Sequence, residues 1–345
     1  MTTLQDIATR AGVSLSTVSV VVNERSGVQI GAATRQRVLD VAQELGYRRN
    51  DLARAMATGQ SRVLGFLTYE ARAEWHSRTL EGALIEAQER GYALKIIRIE
   101  MNDLPGGVRR CIEARMDGII AFNFENDWPQ LRGEAARHRV PVAFSRERDN
   151  HEWGVCVTFD TRQGLCDIVE HLQGLGHRRF GFLAGLPNSP SASWREKLLR
   201  EVLLERGVAS DDLVTFYGDW SGGEGSERAA RQMLEVSNRP TAVLCTGDAI
   251  ALVLVRAARA FGLRVPGELS VVGFGDYSFA PLCDPPLTTL AQPFERAGRA
   301  LVARLVERIE TLKKKNCEWD DSALVEPLPT QLVVRNSTAP PPTAS

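Results

Sequence analysis

Residues 14–24 read SLSTVSVVVNE, and the fold of the N-terminus turns on them. Taken locally, Val18–Val22 favours a strand, because β-branched side chains are stiff at χ1 and suit a pleated surface. The flanking residues argue for a helix. Eleven residues earlier Thr3 stands as an N-cap with Asp6 at the N3 position, a capping-box-like arrangement. Leu4, Ile7, Ala8 and Ala11 then form one apolar face, and Gly12 permits a sharp turn. Ser14 can cap a second helix in which Val18, Val21 and Val22 share one side at i, i+3 and i+4. A third helix, about 33–45, turns Val38, Val41, Ala42 and Leu45 inward and stops at Gly46. The valines are expected to form mostly the inner face of a helix.

From Val63 the pattern changes. Apolar strands alternate with amphipathic helices: VLGFLT (63–68), YALKII (92–97), DGIIAF (117–122) and VPVAF (140–144). A second series follows: GVCVTF (154–159), RFGFLA (179–184), LVTFY (213–217), TAVLCT (241–246) and LSVVGF (269–274). This is the habit of parallel βαβ units, and two open sheets of similar size fit it better than one very large sheet. Such sheets bind ligands at the carboxyl ends of their strands, which makes the cleft between two lobes the expected small-molecule site. The closing NSTAPPPTAS (336–345) has the composition of a disordered tail.

The bulk composition excludes several classes. At 345 residues the chain has room for two or three domains, and 43% hydrophobic with 25% charged residues is ordinary for a soluble protein. No basic segment followed by an apolar run opens the chain, so no signal peptide is expected, and AIALVLV (249–255) is too short to span a bilayer. The six cysteines are scattered without metal-ligand spacing, which suits free thiols in a reducing cytoplasm; neither metal nor cofactor is expected. Residues 1–61 carry seven Arg, no Lys and five acids, a mild positive bias over a chain of net charge −1.

Several stretches, in order, resemble the LacI/GalR (lactose-repressor) family of bacterial transcription regulators. LQDIATRAGVSLSTVSVVVNE resembles its DNA-reading helices, and TRQRVLDVAQELGYRRNDLARAMATGQS its third helix and hinge segment. HLQGLGHRRFGFLAG, AFGLRVPGELSVVGFGD and DPPLTTLAQPFERAGRALVARL resemble core signatures, and LPTQLVVRNST the closing strand. The resemblance implies a small all-α helix-turn-helix domain followed by an α/β two-lobed core with two parallel-sheet lobes, periplasmic-binding-protein-like. The boundaries are 1–46 for the DNA-binding domain and 47–61 for the hinge. Residues 62–160 and about 291–322 form the core N-terminal lobe, 161–290 and about 323–335 the C-terminal lobe, and 336–345 the disordered tail.

The family likeness also implies a cytoplasmic homodimer binding a pseudo-palindromic operator, each second helix lying in a major groove. No heptad pattern beyond residue 335 suggests a tetramer. The implied DNA-facing residues are Thr3, Ser14, Leu15, Ser16, Thr17, Ser19, Val20 and Asn23, with Arg48, Arg49, Asn50, Arg54 and Met56 in the hinge. Two departures stand out. Val20 occupies the place where relatives commonly carry Arg, and an Arg–guanine pair is worth roughly 1–3 kcal/mol of discrimination. Valine can only pack against an apolar feature such as a thymine methyl. In the hinge, Arg49 replaces a usual proline and Met56 a usual leucine; Met56 is still suited to wedge between base steps in the minor groove.

For the effector the resemblance implies Trp75, His76, Arg146, Arg195, Trp220, Asp248 and Asp276. Gly247 and Gly275 stand where relatives place asparagine and aspartate, so two polar anchors are lost and space is expected in their stead. Retained arginines beside a lost carboxylate tilt the expected effector toward a larger or anionic carbohydrate, an oligosaccharide or a sugar acid. A pocket that has ceased to bind stays open as the alternative. Two rival classes are a sugar-acting enzyme and a two-lobed sugar-binding protein. The chain has no G-x-G-x-x-G after its first strand, no P-loop and no G-x-S-x-G elbow, and its five histidines are dispersed. His177, in LGHRRF, fits a structural hydrogen-bonding residue better than a base. No enzyme is expected.

Overall fold

A computed structural model describes the chain apart from residues 1, 23–27, 48–54, 56–58, 70–71, 101–102, 123–128, 146–152, 210–211, 314–317 and 343–345. It divides into two units, Met1–Arg62 and Val63–Ser345.

In the first unit α1 (Leu4–Ala11), α2 (Leu15–Val22) and α3 (Ala32–Glu44) surround a core of Ile7, Ala8, Ala11, Val18, Val21, Val38 and Val41. The stretch that favours a strand locally is therefore helical, because Val18 and Val21 find an apolar partner surface on α1 and α3. The capping box forms: the Asp6 backbone N–H donates to the Thr3 hydroxyl, and the Asp6 carboxylate accepts from the Thr3 backbone N–H at 2.8 Å. The Thr3 backbone N–H and, at 2.9 Å, the Thr3 hydroxyl both donate to the Asp6 carboxylate and hold it below its ordinary pKa. Gly12 ends α1 at φ 65°, a left-handed conformation that costs glycine little.

The second unit contains two six-stranded sheets. The first lobe is built from β1 (Val63–Thr68), α4 (Glu74–Glu89), β2 (Ala93–Arg98), α5 (Leu104–Glu113), β3 (Gly118–Phe122), α6 (Pro129–His138), β4 (Val142–Ser145) and β5 (Val155–Phe159). The second follows with α7 (Thr161–Gly174), β6 (Phe180–Ala184), α8 (Pro190–Glu205), β7 (Leu213–Tyr217), α9 (Glu224–Glu235), β8 (Ala242–Cys245), α10 (Asp248–Ala260), β9 (Ser270–Gly275) and β10 (Thr288–Ala291). The chain then returns to the first lobe with α11 (Phe294–Leu312) and β11 (Leu324–Leu328), and ends in the second with β12 (Gln331–Val333). Sheet orders are β11-β5-β4-β3-β1-β2 and β12-β10-β9-β8-β6-β7, every pairing parallel except β10 with β12. Central strands such as β3, β5 and β6 are buried along their whole length, as a parallel sheet covered on both faces requires.

Two boundaries differ from expectation. Residues 324–328, assigned with 323–335 to the C-terminal lobe, pair parallel with β5 and form the edge of the first sheet; only β12 joins the second. The open edge of β5 offers unpaired backbone groups at that point, and Pro327 is tolerated on an edge strand. The segment 336–342 is likewise no loose tail within the described residues. Ser337 is fully buried, donates its hydroxyl to the Val271 carbonyl at 2.6 Å and accepts from the Thr288 backbone N–H at 2.8 Å. His177 lies beneath this strap: its Nε2 is 2.9 Å from the Ala339 carbonyl, and its Nδ1 lies 2.8 Å from the Thr241 hydroxyl. Composition suggested disorder there because it does not register backbone partners supplied by a neighbouring sheet.

Candidate nucleic-acid interface and effector cleft

The first unit presents α2 with one face spent on the core and another left to solvent. Leu15 is 47% exposed, Ser16 is exposed, and Thr17, Ser19 and Val20 are half-buried. Ser14 anchors the start of the helix, accepting from the Thr17 backbone N–H at 3.1 Å and lying 2.7 Å from the Ser16 hydroxyl and 2.8 Å from that of Thr17. No charged side chain occurs in Leu15–Val22. What this helix can offer a base edge is therefore hydroxyls and methyl groups. Thr3 is exposed at the start of α1. Asn23, Arg48, Arg49, Asn50, Arg54 and Met56 lie outside the described residues.

In the second unit the expected effector residues separate into two groups. Trp75 and His76 open α4. His76 is 1% exposed and packs edge-on against Phe66 and Phe122 at 5.7 and 5.5 Å, inside the first lobe's core. Trp75 is half-buried above it, 5.3 Å from Phe122. Arg195, on α8, is 6% exposed, donates to the Thr246 carbonyl at 2.7 Å and stacks 4.0 Å over Phe274, with Trp220 at 6.0 Å. Trp220 is 38% exposed. Arg146 lies outside the described residues.

Asp248 and Asp276 are committed elsewhere. Asp248 is fully buried, accepting from the Thr289 hydroxyl at 2.6 Å and the Tyr277 backbone N–H at 2.7 Å. Burial pushes its carboxyl pKa up despite those bonds. Its role is to pin the loop after β9. Asp276 sits at φ 53° with its carboxylate 2.8 Å from Arg335. The two glycines also diverge. A side chain at Gly247 would meet nothing within 4 Å, so that space is open. At Gly275 it is not: a Cβ there would lie 2.7 Å from Cε1 of Tyr277. The expected void is occupied, because φ 126° at Gly275 folds the next turn back over it.

Composition-based reasoning missed three groups. Asp219 organises the turn that carries Trp220, accepting from the backbone N–H groups of Ser221, Gly223 and Ser226 at 3.1, 2.8 and 3.2 Å. Burial opposes its charge, but these donors outweigh it and hold the carboxyl below its usual range. The signal was available in GDWSGG, an Asp followed by Ser and Gly. Glu74 and Arg78 of α4 reach across to the second lobe, Glu74 accepting from the Ser278 backbone N–H at 2.8 Å and Arg78 donating to the Asp276 carbonyl at 3.1 Å. Nothing in the sequence marks these partners, about two hundred residues apart.

A helical unit with a solvent-facing second helix, joined in one chain to a two-lobed α/β core, defines a class: DNA-binding regulators that couple a ligand-binding core to a reading head. Comparison with known proteins places it further. The model for bacterial regulatory proteins of the lacI family matches residues 3–50, and that for a periplasmic binding protein-like domain matches 169–338. The lactose operon repressor of Escherichia coli is 32% identical over 347 residues, covering 98% of this chain and 91% of the relative. The repressor PurR of Photobacterium profundum is 28% identical, with 98% of both chains covered. Among solved structures, the lac repressor dimer bound to operator and the anti-inducer ONPF superimposes with a TM-score of 0.82 at 30% identity, covering 98% of this chain and 99% of the other. The chain belongs to the lacI family of bacterial regulatory proteins and is a DNA-binding transcriptional regulator. These relatives are regulators of transcription, which removes the enzymatic alternative.

Proposed function

We propose that the protein is a repressor that binds a pseudo-palindromic operator as a homodimer in the cytoplasm and is released or recruited by a carbohydrate or sugar acid held between its lobes. The observation that carries the DNA half is α2: an apolar inner face fixed by Val18 and Val21, and an outer face of Leu15, Ser16, Ser19 and Val20 without a charged group. Leu15 and Val20 then select methyl-bearing base pairs, while Thr3, Ser14, Thr17 and Asn23 meet the backbone or flanking bases. In the hinge Arg48, Arg49, Asn50 and Arg54 serve phosphates or a narrow minor groove, and Met56 acts as the wedge. The effector half rests on Trp75, Arg195 and Trp220, joined by Arg146, the residue that follows β4 in sequence; His76 packs edge-on against Trp75 at 5.7 Å, and Asp248 and Asp276 fix the loop after β9. A likeness to a regulator solved with cellobiose, 28% identical with a TM-score of 0.70, favours a carbohydrate.

Selection of bound duplexes from a randomised palindromic library, run on wild type and Val20→Arg, tests this. Wild type should enrich a palindrome with no fixed guanine opposite Val20, and the arginine variant should acquire one. Failure of both to enrich any palindrome, at any salt concentration, would overturn the operator-binding assignment.

A further inference from the structure

We propose that a groove between α8 and the crossover from β5 to α7 is a second small-molecule site, apart from the cleft at Arg195, and that it takes a neutral pyranoside of one or two rings. The groove has a volume of about 470 Å³, within the span of small-molecule sites. Its walls come from both lobes. Thr158 in β5 and Pro327 in β11 belong to the first, and Thr161 at the start of α7 with Trp194, Lys197 and Glu201 of α8 to the second. The contribution of α8 follows from its period: Trp194, Lys197, Leu198 and Glu201 stand at i, i+3, i+4 and i+7 and share one face. Arg195 is turned about 100° from Trp194 around the helix, and there it stacks over Phe274. Neither Arg195 nor Trp220 lines the groove.

Three features of the lining point to a ligand and to its class. Thr161 is 1% exposed, and its hydroxyl has no hydrogen-bond partner among the described residues. Asp160 beside it, by contrast, is committed to capping α7, accepting from the Gln163 backbone N–H at 3.1 Å. Buried polar atoms are rarely left unpaired, and this one belongs to a residue lining the groove, where a ligand hydroxyl can supply the partner. Trp194 is half-buried, packs on the second lobe's core and brings indole surface to the same groove, which suits the apolar C–H face of a pyranose ring. The charges of the lining cancel, Asp160 and Glu201 against Arg162 and Lys197. Arg162 is bonded to Glu205 at 2.5 Å, and the Lys197 ammonium lies 4.0 Å from Glu201. An anion there meets repulsion as well as attraction. A sugar hydroxyl both donates and accepts, so it can use carboxylate and cation alike.

The test labels the full chain with fluorotryptophan and follows the fluorine NMR resonances of Trp194 and Trp220, each identified by its loss in Trp194→Phe or Trp220→Phe. Methyl β-glucoside, methyl β-galactoside, maltose and cellobiose are titrated to about 20 mM, with glucuronate as the charged control. At least one neutral sugar should move the Trp194 resonance. Thr161→Val, which keeps the shape without the hydroxyl, should raise that midpoint roughly three- to tenfold and leave the Trp220 resonance as in wild type. Thr161→Ser, which retains the hydroxyl, should stay within about twofold of wild type and guards against a packing defect. A Trp194 resonance that no sugar moves would overturn the second site, while a response at Trp220 in the same titration would leave the cleft assignment standing. A Trp194 shift that shares the Trp220 midpoint and ignores Thr161→Val would also overturn it, as movement relayed from the cleft. A response to glucuronate alone would overturn the ligand class.

Discussion

The helices α2 and α10 carry nearly the same apolar material and meet opposite fates. LSTVSVVV buries only Val18 and Val21, whereas DAIALVLVRAARA buries Asp248, Ile250, Ala251, Val253, Leu254, Val255 and Ala258. The difference lies in what each packs against. α10 lies on β9 beside α9, so its sides are covered within a large lobe. Among the described residues α2 packs mainly on α1 and α3, in a unit of about sixty residues that has too little volume to cover every side of a helix. An aliphatic run therefore becomes core in one place and partly solvent-exposed surface in the other.

Substitutions can sharpen that contrast. The largest loss is expected at Leu254, fully buried in α10: Leu254→Ala should destabilise the second unit by about 2–5 kcal/mol in a denaturant titration followed by circular dichroism. Val18→Ala should cost the first unit about 1–3 kcal/mol and weaken DNA binding only in proportion to unfolding. Val20→Ala should change stability by less than about 0.5 kcal/mol while altering base preference in the duplex selection. If Val18→Ala and Val20→Ala prove equally destabilising, the assignment of inner and outer faces fails.

A smaller effect concerns the strap over the second lobe. Burial holds His177 below its ordinary pKa, outweighing the bond to the Ala339 carbonyl, and burial does the same for His171. The unfolded chain, with histidines near 6.5, then binds more protons than the folded one in mildly acidic solution. The contribution is present above pH ~6.5 and is lost as pH falls through the folded values. The melting temperature should drop between pH ~7.5 and ~5.5, and His177→Gln should flatten part of that slope. A slope unchanged in the variant would assign the effect to other groups.

Much of this was legible beforehand. The Thr3–Asp6 box, the turn at Gly12 and the inward Val18 and Val21 follow from spacing, and every strand segment named from the pattern, VLGFLT through LSVVGF, coincides with a strand to within a residue or two at each end. The site was legible in part. Arg195 and Trp220 lie together, at 6.0 Å, but Arg195, His76 and Asp248 are all buried, since residue type alone does not say whether a polar group faces a cleft or a core.

Amphipathic period, capping chemistry and turn residues are local, so the sequence by itself determined the helical reading of SLSTVSVVVNE, the alternation of strands and helices, and the family. Only the tertiary structure decided that β11 closes the first sheet, that Ser337 is buried, and that Tyr277 fills the place of a side chain at 275. Each of those outcomes depends on atoms brought together from distant parts of the chain, where the demand of buried backbone and side-chain groups for partners outweighs local preference.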